Sequence, residues 1–157
     1  MSANQESGFP ASRADALKKI FEEAILFNRL LDMKVERLRR GFARLRIPYR
    51  EELIGDPMRP ALHGGVVSTL IDAAGGLAAF TGVRTEDRIS TVDLRVDYLR
   101  PAALADLWAE ATVLRVGNRV AVCDVVVYQS HPDRPVAVGK GVYSINRKPP
   151  PEESSPP

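Results

Sequence analysis

An α+β fold, one antiparallel sheet packed on a long helix, is predicted on three grounds. Within residues 89–99, Val92, Leu94, Val96 and Tyr98 alternate strictly with Asp93, Arg95 and Asp97, the period-two pattern of a strand with one buried face. Three further strand-like runs follow, 107–116, 119–129 and 136–145, and Gly117-Asn118 sits between the first two as a tight hairpin turn would. The order along the chain is helix, two strands, helix, four strands, and strands joined by short turns build antiparallel sheets.

The elements follow in order. Residues 1–12 lack apolar periodicity and are expected to be disordered. Over 14–31, Leu17, Ile20, Phe21, Ala24, Ile25, Phe27 and Leu31 recur near helical spacing, and Ser12 with Asp15 resembles a capping box, so an amphipathic first helix is expected. Residues 34–38 and 42–47 flank Arg39-Arg40-Gly41 as a hairpin, and 49–62 reads as a long loop containing Pro and Gly. The tail, residues 148–157 (KPPPEESSPP), reads as disordered, which leaves one domain over 13–147.

Composition narrows the function classes. At 157 residues the chain suits a single core, and 45% hydrophobic with 27% charged residues is ordinary for a globular protein. A net charge of +2 without a long basic run argues against nucleic acid. Arg37, Arg39, Arg40, Arg44 and Arg46 alternate with apolar residues and read as a solvated strand face. A single Cys123 excludes an intrachain disulfide, and one Cys with two His cannot build the usual zinc cages, so neither metal nor cofactor is expected. Residues 66–83 are apolar enough to raise a membrane span, but Asp72 lies at their middle and Gly75-Gly76 follow, which favours a buried helix. With no export signal in residues 1–10, a cytoplasmic location is expected.

The central helix has two faces. At 100° per residue, Gly65, Ser68, Thr69, Asp72, Gly75, Gly76 and Ala79 share one stripe, while Val66, Val67, Leu70, Ala74 and Leu77 lie opposite and cover the sheet. Small residues beside an acid allow another chain or a ligand to come near. Gly64 and Gly65 leave backbone N–H groups open at the helix entry, where the dipole is positive. That geometry suits an oxyanion, but Gly64 lies eight residues from Asp72, about 12 Å along a helix axis. A two-fold pair of chains would bring the Gly64 amide of one beside Asp72 of the other.

HGGVVSTLIDAAGG (63–76), followed by STVDLRVDYLRPA (90–102), resembles the hotdog-fold thioesterases related to the phenylacetate-pathway (PaaI-like) enzyme, and the likeness covers roughly residues 33–146. The resemblance implies a long central helix wrapped by a curved antiparallel sheet, to which this chain adds an N-terminal helix. It implies an acyl-CoA substrate and a homo-oligomer, either a dimer or a dimer of dimers. Asp72 would be base or nucleophile, the Gly64 amide would polarise the thioester carbonyl, Thr91 would help hold water, and His63 would brace the loop. Gly65 would lie against substrate, with Arg100, Asn118, Arg119 and Lys140 offered to the CoA moiety. The chain departs from the family at Pro57, six residues before the His, where relatives commonly carry an Asn or Gln.

Two rivals share the fold: a dehydratase acting on hydroxyacyl thioesters, and a non-catalytic acyl-CoA-binding module. An α/β-hydrolase is disfavoured because the chain has no Gly-x-Ser-x-Gly elbow. Tyr98, Trp108 and Phe80 are candidates for lining an aromatic or aliphatic acyl pocket.

Overall fold

Alternating strands and one apolar helix face assemble as their patterns require. The computed structural model describes residues 9–149. In chain order the elements are α1 (Ala11–Lys19), a π-helical segment (Ile20–Ala24), α2 (Leu26–Leu30), β1 (Lys34–Arg39), β2 (Phe42–Ile47), β3 (Ile54–Asp56), β4 (Ala61–Leu62), α3 (Gly64–Phe80), β5 (Arg88–Tyr98), β6 (Leu107–Val116), β7 (Val120–Tyr128) and β8 (Ala137–Asn146). Six strands form one antiparallel sheet in the order β1-β2-β6-β7-β8-β5, and β3 pairs with β4 as a separate small ribbon. The long loop expected over 49–62 therefore holds a turn of 3₁₀ helix (Glu51–Leu53) and that ribbon.

Helix α3 lays Val67, Leu70, Ile71, Ala74 and Leu77 on the concave face of the sheet, all essentially inaccessible to solvent. The β1–β2 hairpin turns at Gly41, whose φ of 72° is the left-handed conformation that glycine adopts without cost. The Gly41 amide donates to Thr81 Oγ1, and Thr81 in turn donates to the Ala78 carbonyl, so the hairpin is tied to the end of α3. Arg13 completes that end by donating to the carbonyl of Phe80, which otherwise accepts only a long bond from the Val83 amide, and to that of Val83 just beyond the helix.

The N-terminal element differs from its sequence reading in three ways. Phe9 is buried and Ala11 and Ser12 are helical, so residues 9–12, expected within a disordered arm, are packed; 1–8 lie outside the described residues. Helix α1 starts at Ala11 after Pro10, whose fixed φ suits a helix start, and neither Ser12 nor Asp15 caps it. The continuous helix expected to residue 31 is interrupted: the Ile25 amide reaches back five residues to the Ile20 carbonyl, and the chain turns extended at Ile25. That break frees the Phe21 carbonyl, which accepts from the buried Asn28 side chain. Glu22 covers part of the sheet edge by accepting from the Val35 amide.

At the other terminus, the Lys148 amide donates to Asp87 and its carbonyl accepts from Arg84, so packing continues past residue 147; residues 150–157 lie outside the described residues. Asp87, 2% exposed, also accepts from Arg147 and Arg84.

The arginines of β1 and β2 are less solvated than expected. Arg44 and Arg46 bridge Glu36, Glu110 and Asp106 across the convex face, where Trp108 stacks on Tyr128 and donates to Glu36. Arg37 and Arg39 lie over the Phe42 ring. Trp108 thus belongs to this outer network and does not line the cleft.

Candidate active site

Asp72 projects from the middle of α3 on the face turned away from the hydrophobic core, and Thr91 of β5 meets it. The Thr91 hydroxyl donates to Asp72 Oδ1 at 2.8 Å. A bulge makes this contact possible. Thr91 pairs with Tyr143 and Asp93 with Val142, leaving Val92 as the extra residue. The insertion switches the strand's parity, so Thr91 and Ile89 point to the same side as Leu94 and Val96, which pack on the core. Without it, strict alternation would put Thr91 on the opposite face from Leu94.

The burial expected of one β5 face is incomplete. β5 is an edge strand, Val92 is 64% exposed and Tyr98 is 55% exposed, so single-chain packing leaves part of the alternating face open.

The small-residue stripe of α3 divides in two. Its Thr69, Asp72 and Gly76 side lines an open cleft, whereas Gly75 and Ala79 are buried against the sheet. Gly75 is required by Tyr143: a Cβ there would lie 2.2 Å from the phenol oxygen, and one at Gly141 would lie 2.4 Å from it. The phenol occupies that space and donates to the Asp72 carbonyl at 3.1 Å. Burial, then the nearby Asp72 charge, pushes the Tyr143 phenol well above its ordinary pKa, which keeps it a donor. The sequence reading missed Tyr143; the glycines Gly75 and Gly141 are its signal. Next to it, Cys123 donates weakly to the Gly75 carbonyl, and burial pushes its thiol up to about 12, as suits an inert core thiol.

At the helix entry, His63 is the N-cap. Its Nδ1 accepts from the Gly65 amide at 2.8 Å, which fixes the proton on Nε2 and uses one of the two glycine N–H groups expected to be open. No described residue accepts from the Gly64 amide, while the Gly64 carbonyl accepts from the Tyr98 hydroxyl at 3.0 Å. Tyr98 therefore stands at the helix entry. His63 is further held by its own amide, which donates to the Leu53 carbonyl, so the 3₁₀ turn positions it. Pro57 lies in the exposed turn joining β3 and β4, where Asp56 accepts from the amides of Met58 and Arg59.

The residues suggested for CoA are not brought together. Arg100 lies beyond the end of β5 and donates to the Pro135 carbonyl, while Asn118 and Arg119 occupy the β6–β7 turn at the opposite end of β8. The Arg119 carbonyl accepts from Ile145, eight residues along from Ala137, or about 27 Å of strand. Lys140 lies between them and is paired with Asp124 on the neighbouring strand. Gly65 lines a smaller cavity with His63, Thr69 and Phe27.

The cleft beside Asp72 has a volume of about 460 Å³. Its floor is α3 (Thr69, Asp72, Ala73, Gly76, Phe80), its side is β5 and Tyr143, and its roof is the N-terminal segment. Of the three aromatic candidates for an acyl pocket, Phe80 alone lies here. Among the described residues, no three His, Cys, Asp or Glu side chains gather as a metal-holding group, and no helix is long and apolar enough to cross a membrane.

Known proteins resemble this chain in sequence and in fold. The family model described as the thioesterase superfamily matches residues 60–136, which span α3, β5 with Thr91, β6 and β7. The medium/long-chain acyl-CoA thioesterase YigI of Escherichia coli is 37% identical over 115 residues, covering 65% of this chain and 74% of that protein. A Halobacterium salinarum protein named only as an esterase candidate is 39% identical over 150 residues, 90% of this chain and 98% of its own. Among solved structures, a Shewanella oneidensis protein related to the thioesterase superfamily superposes with a TM-score of 0.78 at 30% identity, covering 88% of this chain and 98% of that one. A thioesterase family protein from Silicibacter pomeroyi gives 0.75 at 26% identity, covering 85% and 97%. The chain belongs to the thioesterase superfamily of hotdog-fold thioester hydrolases.

Proposed function

We propose that this protein hydrolyses the thioester of an acyl-CoA to free acid and CoA, with Asp72 as the reacting carboxylate. The observation that carries this is the Thr91–Asp72 pair at the mouth of an apolar cleft. A carboxylate there can take a proton from water as its oxygen bonds to the carbonyl carbon, or can itself attack that carbon. In either course the carbon–sulfur bond breaks and the thiolate leaves as CoA, protonated by solvent or by the site; in the second course water then cleaves the acyl–Asp72 anhydride, releasing the free acid and restoring the carboxylate. Thr91 orients Asp72, and Tyr143 holds the helix turn that carries it.

The developing oxyanion also needs a hydrogen-bond donor close to the thioester carbonyl. We assign it to the unpartnered Gly64 amide of a second copy, with His63 holding the helix entry, so the working form is a dimer or a dimer of dimers. The names of the YigI relatives support an acyl-CoA substrate with a medium or long acyl chain. The motif supports a PaaI-like member, a cytoplasmic site of action is proposed with it, and the domain is assigned to 13–147 with Phe9–Ser12 as its packed extension.

The decisive experiment is CoA-thiol release from acetyl-, octanoyl-, decanoyl-, hexadecanoyl- and phenylacetyl-CoA by the purified full chain. Turnover of one class supports hydrolysis. Tight binding without turnover would instead establish a non-catalytic acyl-CoA-binding module.

A further inference from the structure

The N-terminal segment is the part of the molecule that the motif around Asp72 does not explain. It runs antiparallel to α3: Arg13 reaches Phe80 and Val83, while Phe27 lies near Thr69 and Gly65. Its π turn has a geometric consequence. In an α-helix, five residues advance about 500°, which would separate Ile20 from Ile25 by about 140° around the axis. Closing the turn with an i→i+5 bond instead brings both residues, with Phe21, over the same cleft. The Asn28–Phe21 hydrogen bond fixes the turn in that form.

The cleft beneath this roof is continuous with the reacting pair, since Asp72 and Thr91 are among its walls. From Asp72 the floor passes over Ala73 and Gly76, which leave depth, to Phe80, the first bulky residue along it. Eight residues of α-helix separate Asp72 from Phe80, about 12 Å. A saturated chain built from carbon–carbon bonds near 1.5 Å advances about 1.25 Å per carbon, so that length holds about nine or ten carbons. The volume of about 460 Å³ is in the range of small-molecule sites.

We infer that this cleft is the acyl subsite, that it takes an unbranched medium-length acyl chain, and that Phe80 and the π-turn residue Ile20 set the length accepted. The inference rests on thioester hydrolysis at Asp72. It commits the exposed apolar side of Ile20 and Ile25, 49% and 37% exposed, to a lipid-like chain and not to a second protein surface.

Two substitutions move the subsite in opposite directions, so a general folding defect cannot imitate both. In the full chain, Phe80→Ala should move the preferred acyl-CoA about three carbons longer, the length of the ring it removes. Ile20→Trp should lower the ratio of kcat/KM for decanoyl-CoA to that for acetyl-CoA about tenfold. Binding of S-decyl-CoA, a thioether that cannot be hydrolysed, is measured alongside by calorimetry, and oligomeric state by light scattering. Unchanged chain-length profiles in both variants overturn the subsite while leaving hydrolysis intact. A wild-type chain that binds S-decyl-CoA, loses it on Ile20→Trp and hydrolyses no thioester keeps the subsite and overturns the reaction. Failure to bind or to hydrolyse any member overturns both. If Ile20→Trp alters only the oligomeric state, a second copy covers the cleft and the assignment is wrong.

Discussion

Thr91 of the edge strand and Asp72 of the central helix, 19 residues apart in sequence, are joined by a 2.8 Å hydrogen bond to one carboxylate oxygen. The hydroxyl restrains the carboxylate and leaves its other oxygen for water or the thioester carbon. Asp72→Asn keeps the shape but removes the charge, and CoA-thiol release should fall by about a hundredfold or more. Thr91→Ala should lower kcat about tenfold, in line with loss of a hydrogen bond to a charged group at a partly open site, and Thr91→Ser should restore most of it. Full activity in a folded Asp72→Asn protein removes Asp72 from the chemistry.

Tyr143 acts on Asp72 through the backbone. Tyr143→Phe deletes the donor to the Asp72 carbonyl while filling the same space, so the expected stability loss is about 1 kcal/mol by denaturant unfolding. Because that bond fixes the turn carrying the carboxylate, kcat should fall severalfold with KM little changed. Gly75→Ala tests the socket: its Cβ would overlap the phenol, so unfolding should occur at clearly lower denaturant than for Tyr143→Phe. Equal stability of Gly75→Ala and wild type would show that the phenol can move aside.

Asp87 supplies a pH dependence with a defined sign. Hydrogen bonds from the Arg84 side chain hold its carboxyl well below the ordinary value of 3.8, and bonds from Lys148 and Arg147 add to this. Its folded pKa is depressed, so its contribution to stability is fully present above about pH 4 and is lost as pH falls from there toward the folded value. Asp87→Asn should therefore melt below wild type at pH 6, with the gap narrowing steadily between pH 4 and pH 2. A gap independent of pH would show that Asp87 acts by packing alone.

Much of this was legible in sequence because it depends on local pattern. The apolar face of α3 and the Gly117-Asn118 turn are set by neighbours within a few residues, and each lies where its pattern put it, whereas on β5 the alternation expected from Val92 to Tyr98 partly buries only Leu94 and Val96. Thr91 faces Asp72 only because Val92 bulges, and a bulge depends on β8 across the ladder. The π turn was hidden for a related reason. Ile20, Phe21 and Ile25 fit a continuous amphipathic helix, and what breaks it is the Asn28 side chain folding back on Phe21. The stripe from Gly65 to Ala79 reads as one face, but Tyr143, from the far end of the chain, claims Gly75, Ala79 is buried, and only Thr69, Asp72 and Gly76 are left to the cleft.

The last prediction concerns whether one chain holds a complete site. Gly64 opens α3 with no described residue accepting from its amide, and Asp72 lies eight residues further along the same helix, about 12 Å away. Donor and carboxylate must both approach one thioester carbonyl, so within a chain the distance is too great. In the proposed dimer, two α3 helices related by a two-fold axis would place the Gly64 amide of each beside Asp72 of the other, giving two sites per dimer. Gly64→Val should block the amide while folding, since a Cβ there meets the Tyr98 ring at 3.4 Å, an ordinary contact. Asp72→Asn and Gly64→Val should each be inactive alone. Co-refolded in equal amounts, half the dimers are mixed, and each mixed dimer holds one intact site, so about a quarter of wild-type activity should return. Light scattering and mass spectrometry establish that mixed dimers are present. If they are and the mixture stays as inactive as its parents, each site belongs to a single chain and the oxyanion donor must be sought near Asp72 itself.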